Sequence, residues 1–337
     1  MIRLQCIGLY ASDFGSGTRL GDAQIIDDGK NYEVIDGYCG KGADRLISVL
    51  KERKIKSPNL YITHPHWDHY DGIRRIIRDS WFKPKRLYTP NPDTYEDITN
   101  EIRGNKQALR NIISEAKAKG IPVTYLKNEQ QVKHGDIRFT VYQNTTYKYD
   151  GSSEGYVNDR SLAFWFPEMA YLTTGDAGMW CVNKYKLKPK FIKCGHHGNN
   201  IGDEPTAKPS AMARKLKKNG CLYYWDNDYS THLTDFLMTG REDAINAGMT
   251  IYNIHGDINA IWQRGYCSIY KDYKVKRYKC SYKGETTLRQ PNLAVVMGVL
   301  RGDYGTENAR ISALIDAGFY PISVQEKVNE IVRLVKG

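Results

Sequence analysis

Residues 63–69 read Thr-His-Pro-His-Trp-Asp-His, which puts three imidazoles and a carboxylate (His64, His66, Asp68 and His69) within six positions. Imidazole nitrogen and carboxylate oxygen are the ligand types that divalent zinc and manganese prefer. A packed core has no use for such a cluster, and a solvated polar turn has no reason to be so rich in histidine. The apolar run Asn59-Leu60-Tyr61-Ile62 predicts a strand before it, and Gly72-Ile73-Arg74-Arg75-Ile76-Ile77 predicts a helix after it. A strand-to-helix turn lets side chains converge on one point without a regular spacing.

A two-metal centre needs more ligands than one heptapeptide offers, and two later segments have the right character. Tyr171-Leu172-Thr173-Thr174-Gly175-Asp176 reads as a strand with a carboxylate at its carboxyl end, and Phe191–Gly198 as a short strand ending in His196-His197-Gly198. The other histidines carry weaker signals. His134 sits in a polar turn, His255 in a hairpin-like turn, and His232 is the remaining candidate to face a substrate. Tyr147, Tyr149 and Tyr156 lie in a Tyr/Ser/Gly-rich stretch at 143–159 that predicts a loop beside the site.

The elements that must position these residues alternate between strand and helix. Residues 1–50 give short β runs and then a helix near Ala43–Glu52. Residues 59–142 repeat strand and helix, with a long polar helix near 94–119. Strands follow at 161–166 and 170–173. This mixture predicts an α/β protein. Lys283–Asn292 reads as a polar linker. Beyond it, apolar residues at helical spacing (Leu293, Val296, Val299; Ile311, Leu314, Ile315; Val324, Val328, Ile331) predict a small helical module. The expected division is therefore 1–284 and 291–337.

Composition excludes several classes. The 337 residues are 41% hydrophobic and 26% charged, as in a globular protein. No apolar run approaches the roughly 20 residues of a membrane span. The opening residues read as a strand and not as a signal peptide, so synthesis in the cytoplasm is expected. Seven scattered cysteines without a C-x-x-C pair argue against a disulfide framework and a thiolate metal site. The net charge of +11 concentrates in Lys184, Lys186, Lys188, Lys190 and Lys193, in Arg214, Lys215, Lys217 and Lys218, and around Lys271–Lys279. Such a balance suits a polyanion, nucleic acid or teichoic acid, or simply solvated faces.

The motifs in order resemble the metallo-β-lactamase superfamily, in particular its ComEC-like branch, over roughly residues 1–270. The resemblance rests on Gly21-Asp22-Ala23, Val34-Ile35-Asp36-Gly37, Ile62–Gly72, Asn158-Asp159-Arg160-Ser161-Leu162, Thr174-Gly175-Asp176 and His196-His197-Gly198. It implies an αββα sandwich and two divalent metal ions, zinc first and manganese second. By the same resemblance His64, His66 and one of the 196/197 pair, with His196 preferred, hold one metal. Asp68 and His69 hold the other, and Asp176 bridges. His197 would then donate a proton to the leaving group, Asp68 would share in catalysis, and Asp36 and Asn158 would stand behind the ligands. Many superfamily members carry a further histidine between the first motif and the bridging aspartate, where this chain reads Val157-Asn158-Asp159, and Asn199 replaces the serine frequent after His-His-Gly.

Residues 299–329 resemble a cell-wall-binding repeat found at the C-terminus of some phage lysins, with Tyr304-Gly305-Thr306-Glu307 in place of its usual glycine-bearing turn. That resemblance implies Gly302, Asp303, Tyr304 and Arg310 as contacts to a muropeptide. The expectation is a metal-dependent phosphodiesterase directed to the bacterial cell wall, of phage or prophage type, with peptidoglycan or teichoic acid as partner. Alternatives are a ComEC-like nuclease acting on DNA and a wall-binding protein with an inactive hydrolase domain.

Overall fold

In β1 (Ile2–Cys6) the alternation of side chains sets the architecture. Ile2, Leu4 and Cys6 enter an apolar core, whereas Arg3 and Gln5 point to the opposite face. The computed structural model describes residues 1–8, 21–198, 209–220, 223–226, 239–253, 258–271, 274–284 and 288–336. His232, His255 and Asn199 lie outside the described residues.

Two sheets face each other across that core. The first contains β1, β2 (Gln24–Asp27), β3 (Tyr32–Ile35), β4 (Asn59–Tyr61), β5 (Arg86–Thr89) and β6 (Val123–Tyr125). On its other side β1 pairs with β14 (Ile258–Gln263), followed by β15 (Tyr266–Lys271) and β16 (Lys274–Lys279). Pairing is antiparallel from β16 to β3 and parallel from β3 to β6. The second sheet runs β7 (Gln131–His134), β8 (Ile137–Tyr142), β9 (Ala163–Phe166), β10 (Tyr171–Thr173), β11 (Phe191–Lys193), β12 (Tyr223–Asp226) and β13 (Thr250–Asn253). Its strands are parallel from β10 to β13.

Tyr61, Phe139, Phe164, Phe166, Tyr171, Phe191 and Trp262 fill the space between the sheets. The outer face of the first sheet packs α1 (Gly40–Glu52), α2 (Trp67–Arg78) and α3 (Asn100–Ala118) on Ile25, Val34, Leu60 and Leu87. The outer face of the second packs α5 (Trp180–Lys184), α6 (Pro209–Lys218) and α7 (Thr239–Asn246) on Leu172 and Ile192. The result is the αββα sandwich expected from the sequence.

Local boundaries differ from expectation in instructive ways. The helix expected from Gly72 begins at Trp67, so Asp68 and His69 occupy its first turn. The stretch at 143–159 contains a short helix, α4 (Ser153–Asp159), because Ser152 Oγ caps it by accepting from the Gly155 amide. The long polar helix starts at Asn100, capped by Thr99, after a short 3₁₀ turn at Pro92–Thr94.

The C-terminal helices α8 (Leu293–Arg301), α9 (Glu307–Asp316) and α10 (Pro321–Lys336) share a small core of Val295, Val296, Val299, Leu314, Phe319, Val324 and Val328. They do not stand apart on a tether. Ile311 and Ile315 pack on Ile261 and Tyr270 of the first sheet, and Arg3 Nη1 reaches Asp316 Oδ1 at 2.6 Å. Ser312 Oγ accepts from Asn259 at 3.2 Å and from Gln5 at 3.4 Å. Part of the expected linker is also fixed: Leu288 is buried, and Arg289 forms a parallel bridge with Phe319.

Candidate metal centre

The parallel strands of both sheets end at one edge of the sandwich, where α/β proteins commonly place their sites. From the first sheet, Asp36 follows β3, and Thr63 to His69 follow β4. From the second, Asp176 follows β10, and His196 and His197 follow β11. Close approach of the turns depends on glycine. A Cβ on Gly72 would lie 1.9 Å from Gly37 O, so the start of α2 rests backbone against backbone on the turn after β3. A Cβ on Gly175 would lie 2.7 Å from Thr63 Oγ1, and its φ of +56° disfavours any other residue. Asp36, His196 and His197 hold φ of +58°, +50° and +56°, conformations uncommon outside glycine.

His64 and His66 form one half of the cluster. Thr63 Oγ1 donates to Asp36 Oδ2 at 2.8 Å, so at 3.0 Å it can only accept from His64 Nδ1–H. The lone pair of His64 then sits on Nε2, 3.1 Å from His66 Nδ1 and 3.6 Å from Asp176 Oδ2. Burial pushes the pKa of both rings down, well down for His64, which favours the neutral, ligating form.

Asp68, His69 and His197 form the other half. His69 Nδ1 donates to Asp36 Oδ2 at 2.9 Å, and its Nε2 lies 3.1 Å from Asp176 Oδ1 and 3.9 Å from Asp68 Oδ2. That Nε2 is buried without a hydrogen-bond partner. His197 Nε2 lies 2.9 Å from Asp68 Oδ2 and 3.7 Å from Asp176 Oδ2. Burial opposes charge on both rings, but Asp176 and its neighbouring carboxylates override it: His69 is raised well above the usual histidine range, and His197 is raised to about 10. In return, and against burial, the imidazoles hold Asp68 and Asp176 well below the usual carboxylate range.

The donor set fits a divalent cation on each side. His64, His66 and Asp176 offer three ligand atoms within 4.8 Å of one another, and Asp22, His69, Asp176 and His197 offer four. Asp176 belongs to both groups, and the orphaned, buried His69 Nε2 is directed at it. All the donors are borderline N and O types without cysteine, and they suit zinc, manganese or iron.

The structure separates the two adjacent histidines differently from the sequence expectation. His197 enters the cluster, and it does so beside Asp68 and His69, not beside His64 and His66. The His196 ring turns outward, its Nε2 3.3 Å from Glu154 Oε1, and only its backbone N–H reaches the centre, donating to Asp176 Oδ1 at 3.1 Å. Consecutive residues with left-handed φ direct their side chains apart, which residue types alone do not reveal. Asp36 stands behind His69, accepting from its Nδ1. Asn158 is buried, with an unpartnered Oδ1, at the end of α4.

Two residues of the neighbourhood, Lys193 and Asp22, were given no role at the site by the sequence. Lys193, counted there with the basic surface, is 2% exposed and pairs with Asp22 at 2.8 Å. Burial would raise the Asp22 pKa, but the Lys193 ammonium brings it to about 2. The available signal was a lone lysine in the apolar strand Phe191-Ile192-Lys193-Cys194, since lysine is almost never buried unless paired. The remaining lysines of that run, Lys184, Lys186, Lys188 and Lys190, are exposed.

The residues singled out in the C-terminal module have structural tasks. Gly302, at φ +88°, closes α8 in the left-handed conformation, and Asp303 pairs with Arg301 at 2.7 Å. Arg310 ties the turn to α10 by donating to Gly305 O at 3.0 Å and Gln325 Oε1 at 3.1 Å. Asp303 and Tyr304 also line a cleft of about 470 Å³ against Arg45 and Lys54 of the sandwich. None of these residues approaches the histidine cluster through a described contact.

No protein-family model matches the chain. A stretch of 74 residues, 21% of the chain, is 32% identical to ribonuclease Z of Thermococcus sibiricus, and it spans 24% of that protein. The chain thus matches about a quarter of the length of this curated relative. Among solved structures, the metallo-β-lactamase fold protein YhfI from Bacillus subtilis aligns over 77% of this chain and 99% of its own, with a TM-score of 0.49 and 12% identity. Igni18, a metallo hydrolase from Ignicoccus hospitalis, aligns over 77% and 99% with a TM-score of 0.44 and 13% identity. Among the described residues no helix is long and apolar enough to cross a membrane.

Proposed function

We propose that the chain is a metal-dependent hydrolase of the metallo-β-lactamase superfamily that cleaves phosphodiester bonds in a polyanion. The observation that carries this reading is the sharing of Asp176 between two ligand groups, His64/His66 on one side and His69/His197 on the other. Two divalent cations, zinc or manganese, would supply Lewis acidity toward anionic phosphoryl oxygens and activation of water near neutral pH.

The chain's own groups divide the remaining work. Asp36 holds the His69 ring with Nε2 inward, and Thr63 does the same for His64. Asp68 completes the His69/His197 side. His196, backed by Glu154 and partly exposed, is placed to carry a proton to a leaving group. This exchanges the roles first expected of His196 and His197.

Nucleic acid is the substrate class favoured here, supported by the local match to a ribonuclease and by the exposed lysines of residues 184–190. The cleft lined by Asp303 and Tyr304 favours a second reading, in which the C-terminal helices engage a wall polymer and the bond cleaved lies in teichoic acid.

The test is hydrolysis of bis-p-nitrophenyl phosphate by wild type, Asp68→Ala and His69→Ala with zinc or manganese. Single-stranded RNA, single-stranded DNA and purified teichoic acid serve as competitors. Metal-dependent turnover lost in both variants is expected, with a nucleic acid the strongest competitor. Strongest competition by teichoic acid would instead support the wall reading. Failure of metal-loaded wild type to turn over any of these diesters would overturn the phosphodiesterase assignment.

A further inference from the structure

Two buried charges beside the ligand atoms have no part in the chemistry above. Lys193 ends β11, and its three ammonium donors are used completely. They meet Asp22 Oδ1 at 2.8 Å, Asp22 Oδ2 at 2.9 Å and Cys194 O at 2.7 Å. Asp22 is 1% exposed and lies before β2 of the opposite sheet, so the pair bridges the two layers next to the cluster. Asp22 Oδ1 faces His197 Nδ1 at 3.7 Å, an electrostatic approach beyond hydrogen-bond distance, and that buried nitrogen has no hydrogen-bond partner.

The other inner imidazole provides the comparison. His69 Nδ1 is backed by Asp36, whose oxygens are held by the Thr63 N–H and Oγ1, both at 2.8 Å. In each case a carboxylate lies behind the ring nitrogen that faces away from Asp176, and donors reached through the fold hold that carboxylate. Outer partners of this kind orient ligand histidines and sharpen metal affinity. By distance alone Asp22 belongs with His69, Asp176 and His197 as a possible ligand. The ammonium on both of its oxygens argues otherwise, because a cation bound there would sit against Lys193.

We propose that Lys193 and Asp22 are a positioning pair for His197. Lys193 occupies both oxygens of Asp22, keeps that carboxylate out of the ligand set and aims it at His197 Nδ1, so that His197 presents Nε2 to Asp68 and Asp176. The inference rests on the metal-dependent reading of the site. It assigns a task to the Gly21-Asp22 segment and to a lysine buried among apolar strands.

The experiment uses the full chain, with zinc stoichiometry and affinity measured by competition against a chromophoric chelator. Nitrogen-15 shifts of the His197 ring provide a second readout, and neither readout depends on turnover. The variants are Asp22→Asn, Lys193→Met and the double variant. Both single variants should still bind two equivalents of zinc, one of them roughly 10–100-fold more weakly, with altered His197 ring shifts. Loss of a whole equivalent in Asp22→Asn, with wild-type affinities in Lys193→Met, would make Asp22 a ligand and overturn the proposal. Wild-type affinities and shifts in both would also overturn it. Should Lys193→Met fail to fold because Asp22 is left unpaired, the double variant decides, weakened binding supporting the pair and wild-type binding overturning it. Failure of wild type to bind zinc or manganese would instead overturn the metal reading itself, which keeps the two failures distinct.

Discussion

Asp36 Oδ2 stands 2.9 Å from His69 Nδ1 and thereby leaves His69 Nε2 facing Asp176 from inside a fully buried pocket. Burial raises the Asp36 pKa, and contact with His69 and Thr63 opposes that rise. The orientation of an inner imidazole thus depends on a carboxylate 33 residues away in sequence.

Asp36→Asn retains the size of the side chain and tolerates the left-handed backbone at this position. It removes the charge behind His69, so zinc affinity should fall roughly 10–100-fold with the fold intact. Chelator competition together with circular dichroism checks both halves of that statement.

The contact between Gly37 and Gly72 leaves no room for a side chain. Gly72→Ala places a methyl group against a carbonyl that cannot move without displacing the start of α2, and Asp68 and His69 lie on that turn. A stability loss of about 3 kcal/mol is expected, together with weakened metal binding. Denaturant melts and metal titration of the variant test the two effects separately.

Glu115 of α3 accepts from Arg74 Nε at 3.0 Å and Arg78 Nε at 2.9 Å of α2, and these bonds hold its pKa at about 2. A folded-state value below the unfolded one means that the stabilisation is fully present above the ordinary glutamate range, about 4.3, and is lost as pH falls toward 2. Glu115→Gln should therefore unfold at lower denaturant than wild type at pH 7, with the gap closing as the pH is lowered through 4 toward 2. A gap independent of pH would show that the helix pairing does not depend on this charge.

Asp316 of α9 meets Arg3 at 2.6 Å and Arg53 at 3.0 Å, and both arginines are nearly inaccessible to solvent. Asp316→Ala leaves two buried guanidinium groups short of a partner and should cost about 3 kcal/mol. The C-terminal helices should also become more susceptible to protease in that variant. An autonomous module would show neither change, so thermal melts and limited proteolysis discriminate between a docked and a tethered arrangement.

The sequence by itself determined the α/β class, the helical C-terminal segment and the compact His/Asp run His64-x-His66-x-Asp68-His69, because these depend on local periodicity and on residue types within a few positions. It also brought Asp176 and the His196-His197 pair into consideration, since each ends a short apolar strand. Only the tertiary structure decided which of the paired histidines turns inward, because that depends on two successive left-handed backbone conformations. The same holds for the burial of Lys193, whose partner lies across the sandwich in the other sheet. The Ile-Arg-Leu-Gln-Cys pattern of β1 reads locally as a strand with one wet face. Its Arg3 and Gln5 are buried because helices some three hundred residues later in the chain cover that face. Local pattern reports what a residue prefers next to its neighbours, and long-range packing decides which of those preferences meets a partner.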